Sequence, residues 1–473
     1  MKPYHCRFIG MNKEYVMQKI IDEGLTPLMI FIAIAAALAG LLFGYDVGSI
    51  SGALLFIKDT FNLTSAQQGL VVSAVPFGAL VTSALGGKFN DFLGRKKNLI
   101  LTAALFFIGA LVCALANNVV TLGLGRLLLG FAIGIGSFSA PLYISEIAKQ
   151  KYRGGLVTLN QLAIVTGICL SYGLNYALSA QGEWRLMLGF GVIPALILFV
   201  SAILLPESPR WLMTKKQNTA AKNILTRIHG EAEATKEYNK LNEVLQQEDN
   251  GGKANFRSFY KVLTLGILVS ILTQAVGINA IIYYAPKIFS EAGLAKNTVD
   301  ILATLGIGLV NVIFTLVAVR LLDQFGRRRL LLIGITGIVL SLVAIVAVFL
   351  VGTISPKMAW FVFGCFIVFI ACQAIGTGPA CWLIPSEIFP VKVRGLGMGL
   401  SVAFNWGTNV VVAFLFPVIL SNWGGANAFL IFLIIAVIAL IYFYMNVPET
   451  KGVSLEQIEE NLNAGKRMRD LGV

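Results

Sequence analysis

Twelve stretches of about twenty predominantly apolar residues run along the chain, near 25–57, 67–87, 98–116, 119–144, 157–180, 184–205, 259–288, 299–322, 330–352, 358–385, 395–420 and 426–447. Each is long enough to cross a hydrocarbon layer about 30 Å thick as a helix rising about 1.5 Å per residue. Charged residues make up 13% of the 473. That is about half the ~25% of soluble domains, too little to cover a water-exposed surface of this size. The predicted fold class is therefore an all-α membrane protein of twelve transmembrane helices. A disordered chain, a disulfide scaffold and a nucleic-acid-binding domain are all disfavoured by the same numbers.

The net charge of +13 would suit an anionic partner, but its placement supplies another reason. With both chain ends taken as cytoplasmic, the loops on the opposite side hold only Lys58, Lys287, Lys296 and Lys357, and Arg126 and Arg185 fall within or at the edge of spans. Setting these six aside leaves 31 of the 37 basic residues on one side, the asymmetry of the positive-inside rule. The reading is a multi-pass protein of the cell (inner) membrane with no nucleic-acid partner. Of six cysteines, Cys113, Cys169, Cys365, Cys372 and Cys381 lie in spans and Cys6 in the amino-terminal tail. None has a metal-ligand or redox spacing, so no metal and no cofactor is expected. The run Ala35 to Ala39 resembles a cleavage site, yet the apolar stretch continues past it, which marks an uncleaved first span. Whether Met1 or Met11 is the start stays open.

The spans divide six and six around the polar interval from Pro206 to Ser258. The expected organisation is a cytoplasmic tail (1–24), a six-helix half (25–205), linker helices (206–258), a second six-helix half (259–447) and a cytoplasmic tail (448–473). In the linker, Ile224, Leu225 and Ile228, then Leu241, Val244 and Leu245, recur at helical spacing. Short amphipathic helices are the expected content, with a regulatory domain as the alternative. Polar signatures then repeat. Asp91 and Gly94-Arg95-Lys96 return 232 residues later as Asp323 and Gly326-Arg327-Arg328. Ser145-Glu146-Ile147, with Arg153-Gly154, returns after 241 residues as Ser386-Glu387-Ile388, with Arg394-Gly395. Pro206-Glu207-Ser208 returns after 242 as Pro448-Glu449-Thr450. Three echoes in register indicate a duplicated six-span half, the plan of transporters that rock about a central site. These acids and arginines sit at cytoplasmic span ends and can pair there as a gating latch, Arg210 included. Plain topology charge explains the basic residues but not the matched glutamates.

With Pro206-Glu207-Ser208-Pro209-Arg210, Gly125-Arg126-Leu127-Leu128-Leu129-Gly130, Gly277-Ile278-Asn279, Tyr283-Tyr284-Ala285-Pro286 and Pro448-Glu449-Thr450-Lys451-Gly452, the chain resembles the sugar porter family of the major facilitator superfamily over about residues 25 to 455. The resemblance implies the major facilitator fold and a sugar or polyol substrate. Charge deep in a membrane is expensive and hence informative. Asp46 is the one acid well inside a span, about 21 residues into the first, roughly 31 Å along a helix. Arg126 in span 4 is its natural ion-pair partner. Desolvation favours the protonated acid and a nearby arginine the charged one, so this pair can move a proton, or else only pin two helices. The histidines, His5 and His229, lie outside the spans.

Sugar recognition requires amides and hydroxyls around an apolar face. Gln274 and Asn279 flank Gly277 in span 7, and a glycine-loosened segment can aim both at one cavity. The resemblance adds Gln161, Asn311, Trp382 and Asn405 as substrate contacts, with Tyr283 and Tyr284 near an outer gate, and Phe43 joins the same set. Thr273 stands where the family commonly has a second glutamine and is counted among the substrate contacts, so the resemblance does not carry over the exact sugar preference. The expectation is proton-coupled symport of a monosaccharide or polyol by a monomer in the bilayer. A facilitative uniporter and a transporter-derived sugar sensor are the alternatives, and an enzyme is not expected.

Overall fold

The computed structural model describes residues 26–149, 152–249, 256–291, 297–351, 355–390, 394–453 and 455–472. Every regular element among them is helical, because a bilayer leaves each N–H and C=O to find its partner within the segment. The membrane helices are α1 (Pro27–Phe61), α2 (Ser65–Ala84), α3 (Arg95–Ala114), α4 (Val119–Ile147), α5 (Arg153–Ser179), α6 (Trp184–Leu204), α7 (Phe256–Ala275, then Ile278–Glu291), α8 (Asn297–Phe325) and α9 (Arg327–Leu350). α10 runs from Pro356–Cys372 through a π turn, Gln373–Thr377, into Gly378–Ile388. α11 (394–423) and α12 (425–446) form one apolar run bent at Gly424, where φ is 77°. Ten helices among the described residues are long and apolar enough to span. One of these is the α11–α12 run, and α2 falls short because Gln67, Gln68, Ser73, Thr82 and Ser83 dilute it, so the spans number twelve.

Local chemistry sets the ends. Thr26 caps α1 by accepting from the Met29 amide at 3.3 Å, with Pro27 at the first helical position, where its missing N–H costs nothing. Thr64 and Gln67 close a capping box on α2. Between α6 and α7 lie three short helices, Pro209–Thr214, Asn218–His229 and Glu231–Asp249. Leu212, Met213 and Ala221 pack there with Leu241 and Leu245, while Ile228 is fully buried in the main core. The side chain of Val244 and the expected tail 1–24, with His5 and Cys6, lie outside the described residues. The Thr26 hydroxyl donates to the Ile228 carbonyl at 3.0 Å, so α1 starts on the linker. We call that end of the bundle the linker face and the other the far face. After α12 the chain turns back through the helix Leu455–Asn463 and buries Leu471 completely. The first six spans meet the last six through α2 on α11, α5 on α8 and α1 on the second piece of α7.

Candidate functional site

Glycine decides how α1 sits. Gly40, Gly44, Gly48 and Gly52 recur every fourth residue and share one stripe of the helix. Each meets α5. A Cβ at Gly44 would lie 1.8 Å from the Ile164 carbonyl oxygen, one at Gly48 1.9 Å from the Ser171 hydroxyl, and those at Gly40 and Gly52 2.7 and 2.6 Å from Asn160 and Asn175. This is the small-residue packing of membrane helices. Asp46, two residues beyond Gly44 and so about 200° around the helix, faces away from α5. There the Arg126 guanidinium of α4 donates to Asp46 Oδ1 at 2.6 Å and, through Nε, to the Val71 carbonyl of α2 at 3.3 Å. Asp46 is 2% exposed and Arg126 is fully buried. Asp46 Oδ2 has no partner among the described residues, so the carboxylate is only half used.

One turn before Asp46, the Phe43 ring packs on Trp406 of α11 with centroids 5.3 Å apart, which links the two sets of helices near mid-depth. α7 breaks at Gly277, whose φ of +96° and contact with the Phe432 ring, 2.7 Å from a hypothetical Cβ, suit glycine. The break brings Gln274 and Asn279 together, with Asn279 Nδ2 donating to Gln274 Oε1 at 2.6 Å. On an unbroken helix they would point about 140° apart. Asn405 Nδ2 donates to the Ser270 carbonyl at 3.3 Å. The Tyr284 hydroxyl donates to the Ala413 carbonyl at 2.7 Å, and Tyr283 and Tyr284 are both buried. Gln161 and Trp382 are half-buried and Asn311 is 9% exposed. Thr273 lies one residue before Gln274 on the first piece of α7. It is buried, and its hydroxyl donates to the Val269 and Ser270 carbonyls at 2.9 and 3.1 Å, the back-bonding that a short hydroxyl on a helix readily makes.

The repeated signatures at the linker face adopt one geometry twice. Gly94 and Gly326 precede α3 and α9 with φ of +86° and +87°. Glu207 fills the space above Gly94 and accepts from the Arg95 and Lys96 amides at 2.8 and 3.2 Å. Glu449 does the same above Gly326 for the Arg327 and Arg328 amides, at 2.9 and 3.2 Å. A carboxylate there satisfies free helix N–H groups and complements the helix dipole. Arg95 pairs with Glu146 at 2.6 Å and Arg327 with Glu387 at 3.0 Å. Each pair therefore joins neighbouring helices of the same set, α3 to α4 and α9 to α10. Arg394 donates to the Phe389 carbonyl at 3.4 Å. Asp91 is exposed and its carbonyl accepts from Trp211 Nε1 at 3.0 Å. Arg210 lies in the helix Pro209–Thr214. The side chains of Arg153 and Asp323 lie outside the described residues.

A family model for "Sugar (and other) transporter" matches residues 32–462, nearly the whole bundle. The chain is a sugar porter of the major facilitator superfamily. It is 40% identical over 448 residues to the galactose-proton symporter of Escherichia coli, covering 93% of this chain and 96% of that one. It is 39% identical over 434 residues to a glucose transporter of Staphylococcus epidermidis, covering 91% and 96%. Its fold matches the xylose transporter XylE of Escherichia coli in a partially occluded inward-open conformation, with a TM-score of 0.80 at 30% identity over 91% of this chain and all of that one. Two residues of this sugar porter's central region escape sequence reasoning. Trp406 is buried with its indole N–H unpartnered among the described residues, and Asn409 donates to the Tyr283 hydroxyl at 3.4 Å. The spacing of Asn405 and Asn409 on α11, one turn apart, was the available signal. A third is Asp300 at the start of α8, 1% exposed with neither carboxylate oxygen partnered among the described residues.

Proposed function

We infer that this porter carries a monosaccharide or polyol together with protons by alternating access, with Asp46 as the proton carrier. The observation that carries the reading is the half-used Asp46 carboxylate, buried, held at one oxygen by Arg126 and open at the other. Protonation removes the charge that attracts Arg126, which keeps its bond to Val71 on α2. The proton therefore alters how α1, α2 and α4 are tied. Phe43 lies one turn away against Trp406 of the opposite set, so a change at Asp46 reaches the sugar cavity along a rigid helix. Gln161, Gln274, Asn279, Asn311, Trp382 and Asn405 supply the polar groups and indole face that a ring of hydroxyls requires. His229 offers no competing relay, because it sits in the linker, where burial and then the neighbouring Lys149 hold its imidazole below its ordinary value. The named sugars of the relatives, galactose and glucose, make a hexose the first substrate to try. The linker face is assigned to the cytoplasm, with both termini there, and the glutamate–arginine pairs to the latch that forms and breaks during the cycle. The monomer holds every residue the cycle uses.

The test is sugar uptake into proteoliposomes with and without an imposed pH gradient. The wild type should concentrate sugar when the gradient is present. Asp46→Asn, checked for folding because it leaves Arg126 poorly compensated, should keep equilibrium exchange within about tenfold and lose gradient-driven accumulation. A well-folded Asp46→Asn that still concentrates sugar would remove Asp46 from the proton path. A wild type indifferent to the gradient would make the porter a facilitator.

A further inference from the structure

A proline inside a helix takes away the N–H that would have bonded the carbonyl four residues earlier. In a membrane that freed carbonyl has to be satisfied from a neighbouring helix or by water. Pro286 lies within the second piece of α7 and so frees the carbonyl of Ile282. The Tyr172 hydroxyl of α5 donates to that carbonyl at 2.9 Å, across the boundary between the first six spans and the last six. Pro417 lies within α11 and frees the carbonyl of Ala413 in the same way. There the donor is the Tyr284 hydroxyl, at 2.7 Å. Two proline-freed carbonyls are thus each met by a tyrosine of another helix. The second piece of α7 takes part in both bonds, as acceptor at Ile282 and as donor at Tyr284.

The two bonds differ in what they join. Tyr284 ties α7 to α11 within the last six spans, whereas Tyr172 ties α5 of the first six to α7. Rocking of one set against the other spares the former and breaks the latter. Tyr172 is 1% exposed, and its ring packs on α8, where a Cβ at Gly308 would lie 2.9 Å from it. Ser51 of α1 sits beside the phenol without a hydrogen-bond partner of its own among the described residues. An ordinary helix carbonyl keeps its intrahelical bond when a neighbour departs. The Ile282 carbonyl has none to keep, so when Tyr172 withdraws it stays unsatisfied until water reaches it, a cost beyond that of the bond itself. We propose that Tyr172, the Ile282 carbonyl and Pro286 form a catch that holds the far face closed, with Pro286 setting its strength by denying Ile282 a partner in its own helix. The inference rests on the alternating-access reading but not on Asp46 as the proton carrier or on any particular sugar.

The experiment measures spin-label distances between the far-face ends of α1 and α11 in the full-length protein in lipid nanodiscs, with no sugar present. A ketone-bearing amino acid replaces Asp59 and Ser421 to carry the labels, so the native cysteines stay in place. Tyr172→Phe keeps the ring against α8 and drops only the hydroxyl; it should lower the closed-to-open ratio about fivefold. Pro286→Ala returns an N–H to the Ile282 carbonyl, which removes the penalty of the open state, and should lower the ratio in the same direction. The double variant Tyr172→Phe/Pro286→Ala should stay within about twofold of the lower single variant, because one catch is lost once. Pro286→Ala leaves Tyr172 and its packing untouched, so it keeps the test decisive if Tyr172→Phe does not fold. A folded Tyr172→Phe within twofold of wild type, a Pro286→Ala that leaves the ratio unchanged or raises it, or a double variant in which the two effects multiply would overturn the catch. Since no proton or sugar enters the readout, either result is independent of the Asp46 experiment.

Discussion

A threonine hydroxyl within a membrane helix has its own backbone as the nearest acceptor, and Thr273 uses two carbonyls there. Transport should therefore tolerate Thr273→Val, which keeps the branched shape and drops only the hydroxyl. Uptake rates and the order of preference across a panel of competing sugars should stay within about twofold, since a back-bonded hydroxyl contributes little. A reordered preference would place that hydroxyl at the sugar in another state of the cycle. Legibility differed sharply among single residues. Asp46 and Arg126 stood out in the sequence because a bilayer makes an isolated charge in an apolar run too costly to keep unless it is paired or used. Asp300 did not, because an acid at a span end is expected to meet water, and only the packed structure shows it buried. Trp406 looked like any apolar residue of α11, since an unpartnered indole N–H is a property of surroundings rather than of residue type.

At the scale of elements, hydropathy was enough to find the spans, because a bilayer imposes one length and one composition on each. It could not reveal the π turn Gln373–Thr377 in α10. A shift of one hydrogen bond leaves the apolar pattern unchanged. The break in α7 was legible through Gly277, and its consequence, Gln274 meeting Asn279, follows from the turn that glycine permits. The glycine stripe of α1 was present in the sequence at 40, 44, 48 and 52, but its partner helix was not. That stripe yields a prediction with an internal control. Gly44→Ala puts a methyl 1.8 Å from the Ile164 carbonyl oxygen and should force α1 off α5 at a cost of about 1–3 kcal/mol. Gly123→Ala in α4, where a Cβ meets nothing within 4 Å, should be neutral or slightly stabilising. Melting temperatures of the two variants in one detergent decide it. Equal behaviour would mean that the α1–α5 contact yields freely.

At the scale of the whole molecule, the two sets of six helices carry the same linker-face geometry in unequal settings. The Arg95–Glu146 side chains are 7% and 4% exposed, whereas those of Arg327–Glu387 are 20% and 25% exposed. Glu146 also accepts from the Ser208 hydroxyl at 2.6 Å, and Glu387 from Thr450 in the equivalent place. The hydrogen-bond pattern is thus repeated while the solvation is not. Removing one partner from a buried pair leaves an uncompensated charge and costs about 3–5 kcal/mol, whereas an exposed pair is worth about 0–1 kcal/mol. Glu146→Gln should therefore lower the melting temperature clearly more than Glu387→Gln, which spares Arg327 some of the penalty through water. The difference should shrink when Arg95→Leu accompanies Glu146→Gln, because no guanidinium is then left unpaired in the buried site. Equal losses from the two single variants would mean that the more open pair closes over during the cycle and spends most of its time as deeply buried as its counterpart. A distance measurement across the linker face would then have to show that closed state as the dominant one.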